Sequence, residues 1–265
     1  MAESTTTPSP NMATTGSICW HELMTTDQKA AIDFYKKLLG WETQDMDMGP
    51  AGIYKLLMHD GVMFGGCMEM TGPGWEEAPP PHWMTYLAVD DVDASVEKLK
   101  DLGGSVFHGP LDIPNVGRFA VVNDPQGGHF TLFHGNEPGP LGTAVVWNEL
   151  VTTDREAAVA FYTALIGWTT DEMDMGPTGV YTMFKNGETY VGGCMTMPPE
   201  VAAHNVPPHW MGYIGVDNLA THVERAQKLG ATTLTPIIEI PNNHGSFCTI
   251  KDPTGAVISL HQGAA

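Results

Sequence analysis

The sequence predicts an α+β fold in which one unit of about 120 residues occurs twice. The first observation is a repeat without gaps. Equivalent positions lie 127 residues apart, so that Glu149 corresponds to Glu22 and Asn148 to His21. The second is that Pro81-His82-Trp83-Met84 returns unchanged at positions 208–211. This period is too long for a solenoid repeat, so it indicates two whole domains.

The predicted domain limits follow from this repeat. We expect a Thr/Ser/Pro-rich disordered leader at 1–16, a first domain at 17–135, a linker at 136–143 and a second domain at 144–263. The leader lacks the basic start and the apolar stretch of a signal peptide.

Local patterns predict the elements of the first domain in order. Residues 17–24 are β-prone, and a helix with Asp27 or Thr26 as N-cap then ends at Gly40. Strands near 41–47, 53–59 and 62–69 complete a first βαβββ module. A second module follows: a strand at 82–89, a helix from Asp90-Asp91 to Gly103-Gly104, and strands near 105–109, 117–122 and 128–134.

Charge and composition exclude several functions. The formal charge of −19 argues against nucleic acid and anionic lipid as partners. No apolar stretch approaches the length of about 20 residues that spans a membrane. The four cysteines fit no zinc-finger spacing, and we expect them to be reduced thiols in a cytoplasmic protein. We further expect a monomer or homodimer whose partner is a small molecule.

Several motifs carry a family resemblance. They are Trp20-His21-Glu22-Leu23, Phe34-Tyr35 through Gly40-Trp41, Gly192-Gly193-Cys194-Met195 and Asp124-Pro125-Gln126-Gly127. With the paired βαβββ modules, they resemble the vicinal-oxygen-chelate superfamily (glyoxalase, bleomycin-resistance protein and dioxygenase), and locally its two-domain actinobacterial glyoxalase-like members. The resemblance implies that the eight strands of each domain curl into a cup that holds a small molecule.

The resemblance also implies a divalent metal, held by His, Gln or Glu from the first and last strands of each module. In this sequence several of those positions hold unsuitable residues, namely Met84, Thr131, Met211 and Ser259. The first domain still offers His21, Glu69, His82 and His129 as weak candidate ligands. The competing interpretation is structural: His21 packs under the helix and His82 belongs to a turn.

Other candidates line the predicted cups. If the first strand alternates, Trp20 and Glu22 share a face, as do Trp147 and Glu149. Such a glutamate would have a raised pKa and act in proton transfer, or it is satisfied by backbone amides between modules. The predicted ligand-binding side chains are Trp20, Tyr86, Arg118, Trp147 and Tyr213, with Tyr54 and Tyr181 as weaker candidates.

The roles of one arginine and two cysteines each have two interpretations. Arg118 either clamps a carboxylate or pairs with a neighbouring acid, and Cys67 and Cys194 are either nucleophiles or core thiols. The two copies differ at three polar positions: His21/Asn148, Glu69/Thr196 and Arg118/Ser246. These differences favour the first domain as the place for chemistry.

Three functional hypotheses remain. The first is a glyoxalase-like lyase or isomerase that acts on a small oxygenated or aldehyde-derived metabolite, with Glu22 or Glu149 transferring the proton. The second is a non-catalytic binding protein of bleomycin-resistance type. The third is a metal-dependent enzyme that uses the first domain alone.

Overall fold

A computed structural model describes residues 13–49, 52–72, 75–76, 78–137, 139, 142, 144–176 and 179–264. The first domain contains β1 (Ile18–Thr25), α1 (Gln28–Leu39), β2 (Glu42–Asp47), β3 (Ile53–His59), β4 (Val62–Glu69), β5 (His82–Ala88), α2 (Val92–Asp101), β6 (Ser105–Ile113), β7 (Gly117–Asn123) and β8 (His129–Gly135). The second contains β9 (Val145–Thr152), α3 (Arg155–Ile166), β10 (Thr169–Asp174), β11 (Val180–Asn186), β12 (Thr189–Thr196), α4 (Pro199–Ala202), β13 (His209–Gly215), α5 (Leu219–Lys228), β14 (Thr232–Thr233), β15 (Ile238–Glu239), β16 (Ser246–Lys251) and β17 (Val257–Gln262).

Helix α1 begins and ends where its sequence predicts. The Asp27 carboxylate accepts a hydrogen bond from the Ala30 amide at 2.9 Å, which satisfies one free N–H of the first turn. Gly40 ends the helix with φ 72°, in the left-handed region that favours glycine. Between them, Ala31, Phe34 and Leu38 bury one face against the sheet.

The two modules of each domain join into one curled sheet. In the first domain β1 pairs in parallel with β4 and antiparallel with β5, and β5 continues in parallel to β8. The strand order is therefore β2-β3-β4-β1-β5-β8-β7-β6. The second domain repeats this arrangement around β9 and β13. The predicted α+β fold with tandem curled sheets is confirmed.

The outer strands differ most between the domains and from the predicted boundaries. β6 continues to Ile113 rather than ending near residue 109, although its pairing with β7 shifts register twice. Its counterpart in the second domain is split into β14 and β15. Pro236, which has no N–H to donate, lies between these two short strands.

Each hydrophobic core combines parts of both domains. One cluster joins α1 residues such as Phe34 and Leu38 to Leu219, Ile250 and Leu260 of the second domain. A matching cluster joins the second module of the first domain to the first module of the second domain. The helical sides of the two sheets therefore pack on each other, and the opposite, concave sides remain available as two cups.

Two buried hydrogen bonds connect the domains in the same crosswise way. The Tyr35 hydroxyl donates to Asp252 Oδ2 at 3.0 Å, and the Tyr162 hydroxyl donates to Asp124 Oδ2 at 3.1 Å. These aspartates belong to the Asp-Pro turns before β17 and β8. The turns are therefore part of the domain interface.

The last four residues of the predicted leader are ordered. Ala13 N donates to Gly139 O and Gly16 N to Ala88 O, each at 2.8 Å, while Trp168 Nε1 donates to Gly16 O at 2.8 Å. The prediction of disorder is wrong for residues 13–16, because their backbone groups are satisfied by both domains. The rest of the predicted leader, 1–12, lies outside the described residues. Within the described part of the chain, no helix has the length and apolarity needed to cross a membrane.

Candidate functional site

The floor of the first cup is formed where β1 pairs with β5. Trp20 lies opposite Tyr86, and Glu22 lies opposite Met84. Side chains of directly paired strand residues share a face, and successive residues alternate. Trp20 and Glu22 therefore point into the cup, while His21 and Leu23 point toward the helical side.

Three aromatic side chains hold Glu22 in place. The Tyr86 hydroxyl donates to Glu22 Oε2 at 2.7 Å. Trp20 Nε1 donates to the Tyr54 hydroxyl at 3.0 Å, and that hydroxyl is close enough to the Glu22 carboxyl to lower its pKa. The partners of Glu22 are thus two phenols rather than the backbone amides of the competing interpretation. Tyr54, a weaker candidate by sequence, is at the centre of the site.

Burial and hydrogen bonding act in opposite directions on Glu22. Desolvation raises the pKa of the carboxyl, and the bonds from Tyr86 and Tyr54 lower it by a smaller amount, so the net direction is upward. The phenols of both tyrosines have pKa values well above their usual range, mainly from desolvation and then from the Glu22 charge. The phenols therefore remain hydrogen-bond donors at any physiological pH.

The second cup repeats this arrangement. The Tyr213 hydroxyl donates to Glu149 Oε1 at 2.7 Å, and Trp147 Nε1 donates to the Tyr181 hydroxyl at 2.7 Å. Burial likewise raises the pKa of Glu149. The cluster of one glutamate, two tyrosines and one tryptophan is called the floor cluster below.

The paired glycines of β4, and those of its counterpart β12, make room for the two floor clusters. A Cβ on Gly66 would lie 1.9 Å from the Tyr54 hydroxyl oxygen, and one on Gly193 would lie 2.1 Å from that of Tyr181. A Cβ on the preceding Gly65 would instead lie 2.3 Å from the backbone oxygen of His21. The Gly-Gly motif was visible in the sequence, but its role in positioning the tyrosines was not predicted.

We expect Gly66→Ala to displace Tyr54 and to break its bond with Trp20, because the new methyl group would occupy the position of the phenol. Overpacking of this kind costs about 1–3 kcal/mol in the free energy of unfolding. Urea unfolding, together with the near-ultraviolet circular dichroism of the tryptophans, measures both effects. Gly263→Ala, with open space around its Cβ, is the matched control. Adding Tyr54→Ala should relieve the clash, and a Gly66→Ala variant of wild-type stability and spectrum would contradict this account.

His21, a candidate metal ligand, is instead an interdomain contact. Its Nε2 lies 2.7 Å from Oδ1 of Asn148, the residue at the same position of the repeat. The side chain is 8% exposed, and burial lowers the pKa of the imidazole to about 4. The ring therefore donates to Asn148 as neutral imidazole and does not contribute to either cup.

The buried neutral state of His21 predicts a loss of stability in acid. A pKa lowered from 6.5 to about 4 means that the unfolded chain binds a proton in this interval while the folded chain does not. The free energy of unfolding should fall by about 3 kcal/mol from pH 6.5 to pH 4 through this residue alone. His21→Asn should remove this component in urea unfolding at a series of pH values. The exposed His204→Asn is the control, and an unchanged acid slope in His21→Asn would refute the assignment.

The other candidate metal ligands do not converge in the cup. Glu69, the last residue of β4, lies beside the start of α1, where its carboxylate accepts from the Gln28 amide at 3.3 Å. The Nδ1 atoms of His82 and His129 contact the backbone oxygens of Pro80 and Gly127. Among the described residues no group of three His, Cys, Asp or Glu side chains is placed to hold a metal. The floor of the first cup offers one carboxylate, two phenols and the Met84 thioether, which do not fit a divalent ion.

Arg118 lies outside the cup, so its predicted role in ligand binding is wrong. Its guanidinium binds Asp93 at 2.7 Å and Asp112 at 2.8 Å. Phe119, the next residue, pairs with Phe133 on the concave face, and strand alternation sends Arg118 to the opposite side. The alternative of pairing with neighbouring acids is the correct one.

The repeated cysteines are core thiols. Cys67 and Cys194 are fully buried within the two hydrophobic clusters. Burial raises the pKa of each thiol to about 12, so neither supplies a thiolate near neutrality.

The three polar differences that favoured the first domain all lie outside the cups. His21 and Asn148 contact each other between the domains, Glu69 is exposed beside α1, and Arg118 pairs on the outer face. These positions therefore give no reason to place the chemistry in one domain alone. Two surface grooves also lie elsewhere: one of about 560 Å³ lies beside α1, and one of about 310 Å³ lies beside the start of α3.

Comparisons with other proteins agree with this architecture. Residues 17–132 match the Glyoxalase/Bleomycin resistance protein/Dioxygenase superfamily, and residues 144–261 match the Glyoxalase-like domain. The chain is 36% identical over 252 residues to "Putative glyoxylase CFP32" of Mycobacterium tuberculosis, covering 92% of this chain and 94% of that protein. It is 31% identical over 267 residues to "Anthracycline biosynthesis protein DnrV" of Streptomyces peucetius, covering 94% of each.

Solved structures share the fold at low sequence identity. The Mn(II)-bound glyoxalase from Novosphingobium aromaticivorans superimposes with a TM-score of 0.66 at 16% identity, covering 96% of this chain and 84% of that one. A catechol 2,3-dioxygenase gives a TM-score of 0.62 at 15% identity, covering 95% and 89%. With two domains that each match, and relatives aligned along nearly their whole length, the chain belongs to the glyoxalase/bleomycin resistance protein/dioxygenase superfamily.

Proposed function

We propose that the floor clusters bind a small carbonyl-containing metabolite and transfer a proton at the carbon next to the carbonyl, with Glu22 and Glu149 as the proton-transfer groups. The observation that carries this proposal is a carboxyl of raised pKa at the bottom of a concave face, held by two phenols. Glu22 nevertheless remains partly accessible to solvent, so a ligand in the cup could reach it.

The proposed step uses only groups of the chain. The Glu22 carboxylate takes the proton from the substrate carbon, and the electrons of the broken C–H bond form the C=C bond of an enolate. One tyrosine turns from the carboxylate to the substrate oxygen and stabilises the developing negative charge with its O–H. In D₂O the Glu22 carboxyl exchanges its proton for a deuteron, and this deuteron is then delivered to the same carbon, which restores the carbonyl and replaces the hydrogen.

A raised pKa suits the glutamate to this task. A base is more effective when its pKa is closer to the working pH, because it binds the abstracted proton more strongly while it still ionises. The glyoxalase of Novosphingobium aromaticivorans is Mn(II)-bound. The donor set of this chain does not fit such an ion, so no step of the proposal is routed through a metal.

The names of the relatives are consistent with carbonyl chemistry. One relative is named as a glyoxylase and another as an anthracycline biosynthesis protein. The thioethers and aromatic rings around the floor cluster would accept apolar parts of such compounds.

Hydrogen exchange tests this proposal directly. Acetophenone and dihydroxyacetone each carry exchangeable hydrogens next to a carbonyl, and proton NMR in D₂O follows their replacement by deuterium. We expect the protein to accelerate exchange of at least one probe above the buffer rate. No acceleration for either probe, or for simple aldehydes tested in the same way, would count against proton transfer.

Non-catalytic binding is the second candidate, and one observation favours it. The Tyr86 hydroxyl already donates to Glu22 and the Tyr54 hydroxyl lowers the pKa of the same carboxyl, so the glutamate has its partners without a substrate. A binding protein would be stabilised by the probes in thermal unfolding while the exchange rate stays at its buffer value.

A further inference from the structure

The walls of the two cups differ, although their floor clusters are the same. In the first module of each domain, strand pairing shows which side chains point into the cup. Gln44 pairs with Leu56 in the first domain, and Asp171 pairs with Met183 in the second. Three wall positions change character between the copies, from Gln44, Met58 and Met63 in the first cup to Asp171, Lys185 and Tyr190 in the second.

The changed residues of the second cup form one polar network. Lys185 Nζ lies 3.2 Å from Asp171 Oδ2 and 5.7 Å from the centre of the Tyr190 ring. The Tyr190 hydroxyl donates to Asp171 Oδ2 at 2.7 Å. The first cup has two thioethers and an amide at these positions.

The wall formed by the second module of each domain is also more polar in the second cup than in the first. In the first cup Phe133 packs against Tyr86 with ring centres 6.0 Å apart, and Val121 lies opposite Thr131. In the second cup His261 replaces Phe133, and Thr249 replaces Val121. The Thr249 hydroxyl is hydrogen-bonded to that of Ser259 at 2.9 Å.

These differences select opposite ligands. Apolar contact stabilises a complex in proportion to the surface removed from water, whereas a buried hydroxyl group without a partner destabilises it. A hydroxylated ligand would leave its hydroxyl groups unpaired against Val121, Phe133 and Met58. An aromatic ligand in the second cup would exclude water from the Thr249 and Ser259 hydroxyl groups and from the Lys185–Asp171 pair, and it would offer them no hydrogen bond beyond those that they already make to one another.

We propose that the two cups have diverged in ligand class: the first takes an apolar, aromatic carbonyl compound and the second a smaller, hydroxylated one. This inference rests on the proposed function for the carbonyl group that both floor clusters would hold. It makes the chain a protein with two different ligand sites rather than one site and one inactive copy.

Methionine methyl groups report on each cup separately. Met84 lies opposite Glu22 in the first cup, and Met211 lies opposite Glu149 in the second. In protein labelled with ¹³C at the methionine methyl groups, Met84→Leu and Met211→Leu identify the two signals. Acetophenone and dihydroxyacetone are then titrated into the full-length chain.

We expect acetophenone to shift the Met84 signal at about tenfold lower concentration than the Met211 signal, and dihydroxyacetone to show the reverse order. Equal midpoints for both signals with each probe would overturn the proposal, and so would the absence of any shift with either probe. Selective shifts without hydrogen exchange would remove proton transfer but leave the divergence of the cups intact.

Exchanging the walls provides a second measurement. The variant with Val121→Thr and Phe133→His gives the first cup two wall residues of the second, and its Met84 signal should lose its preference for acetophenone. Thr249→Val with His261→Phe should shift the second cup the opposite way. Unchanged preferences in both folded variants would overturn the proposal.

Discussion

Replacing both floor glutamates by glutamine should abolish the catalysed hydrogen exchange. The Glu22→Gln and Glu149→Gln changes keep the shape of the side chains and their ability to accept hydrogen bonds from the tyrosines, but a neutral amide cannot take a proton from carbon. General-base catalysis contributes about 100- to 10,000-fold, so the double variant should lose at least about 100-fold in rate. Proton NMR in D₂O measures this loss.

The single variants and a control sharpen this result. Glu22→Gln should remove exchange from the first cup and Glu149→Gln from the second, so each probe should respond mainly to one of them. Glu69→Gln removes an exposed carboxylate outside both cups and should leave the rate unchanged. If exchange persists in the folded double variant, the glutamates are not the proton-transfer groups.

The pH dependence has a defined direction. Because burial raises the pKa of both glutamates, the basic form of each should appear at a higher pH than for a free carboxyl. The same shift makes a stability contribution that is fully present below 4.5, the ordinary pKa of a glutamate in the unfolded chain, and is lost as the pH rises through the folded-state pKa. The double glutamine variant should lack this contribution in urea unfolding.

Asp252→Ala should be among the most destabilising single changes outside the cups. Oδ1 of Asp252 accepts from the backbone amides of Thr254, Gly255 and Ala256 and from the Thr254 hydroxyl, and Oδ2 accepts from Tyr35 of the other domain. The change would remove the carboxylate that all these donors share, in a turn where Asp252 is 3% exposed. We expect a loss of about 4 kcal/mol in the free energy of unfolding.

Urea unfolding of matched variants tests this expectation. Tyr35→Phe removes only the interdomain bond and should cost much less, while the exposed Asp217→Ala should have little effect. Since each core includes residues of both domains, tryptophan fluorescence and far-ultraviolet circular dichroism should report one common transition. A loss below about 1 kcal/mol for Asp252→Ala, or two separate transitions in the wild type, would contradict the crosswise interface.

The sequence was sufficient for the elements and for part of the site. Helix α1 follows from local information, since the Asp27 cap and Gly40 act within the helix itself. The common face of Trp20 and Glu22 follows from strand alternation, and β1 is regular over these residues. By contrast, the positions of Arg118 and His21 were not determined by their residue types. Each residue type would suit a binding site. Whether the side chain lies in the cup depends on the face of the sheet on which its strand places it.

The sequence by itself determined the duplication, the modules and the identity of the floor glutamates. The repeat is visible when the two halves of the chain are compared, and helix caps and strand periodicity are local properties of the chain. Only the tertiary structure decided that His21 meets Asn148 between the domains, that Tyr54 reaches Glu22 across Gly66, and that the cups differ along their walls. These contacts join residues on different strands and domains. They depend on register and on the packing of two sheets, which no local pattern encodes.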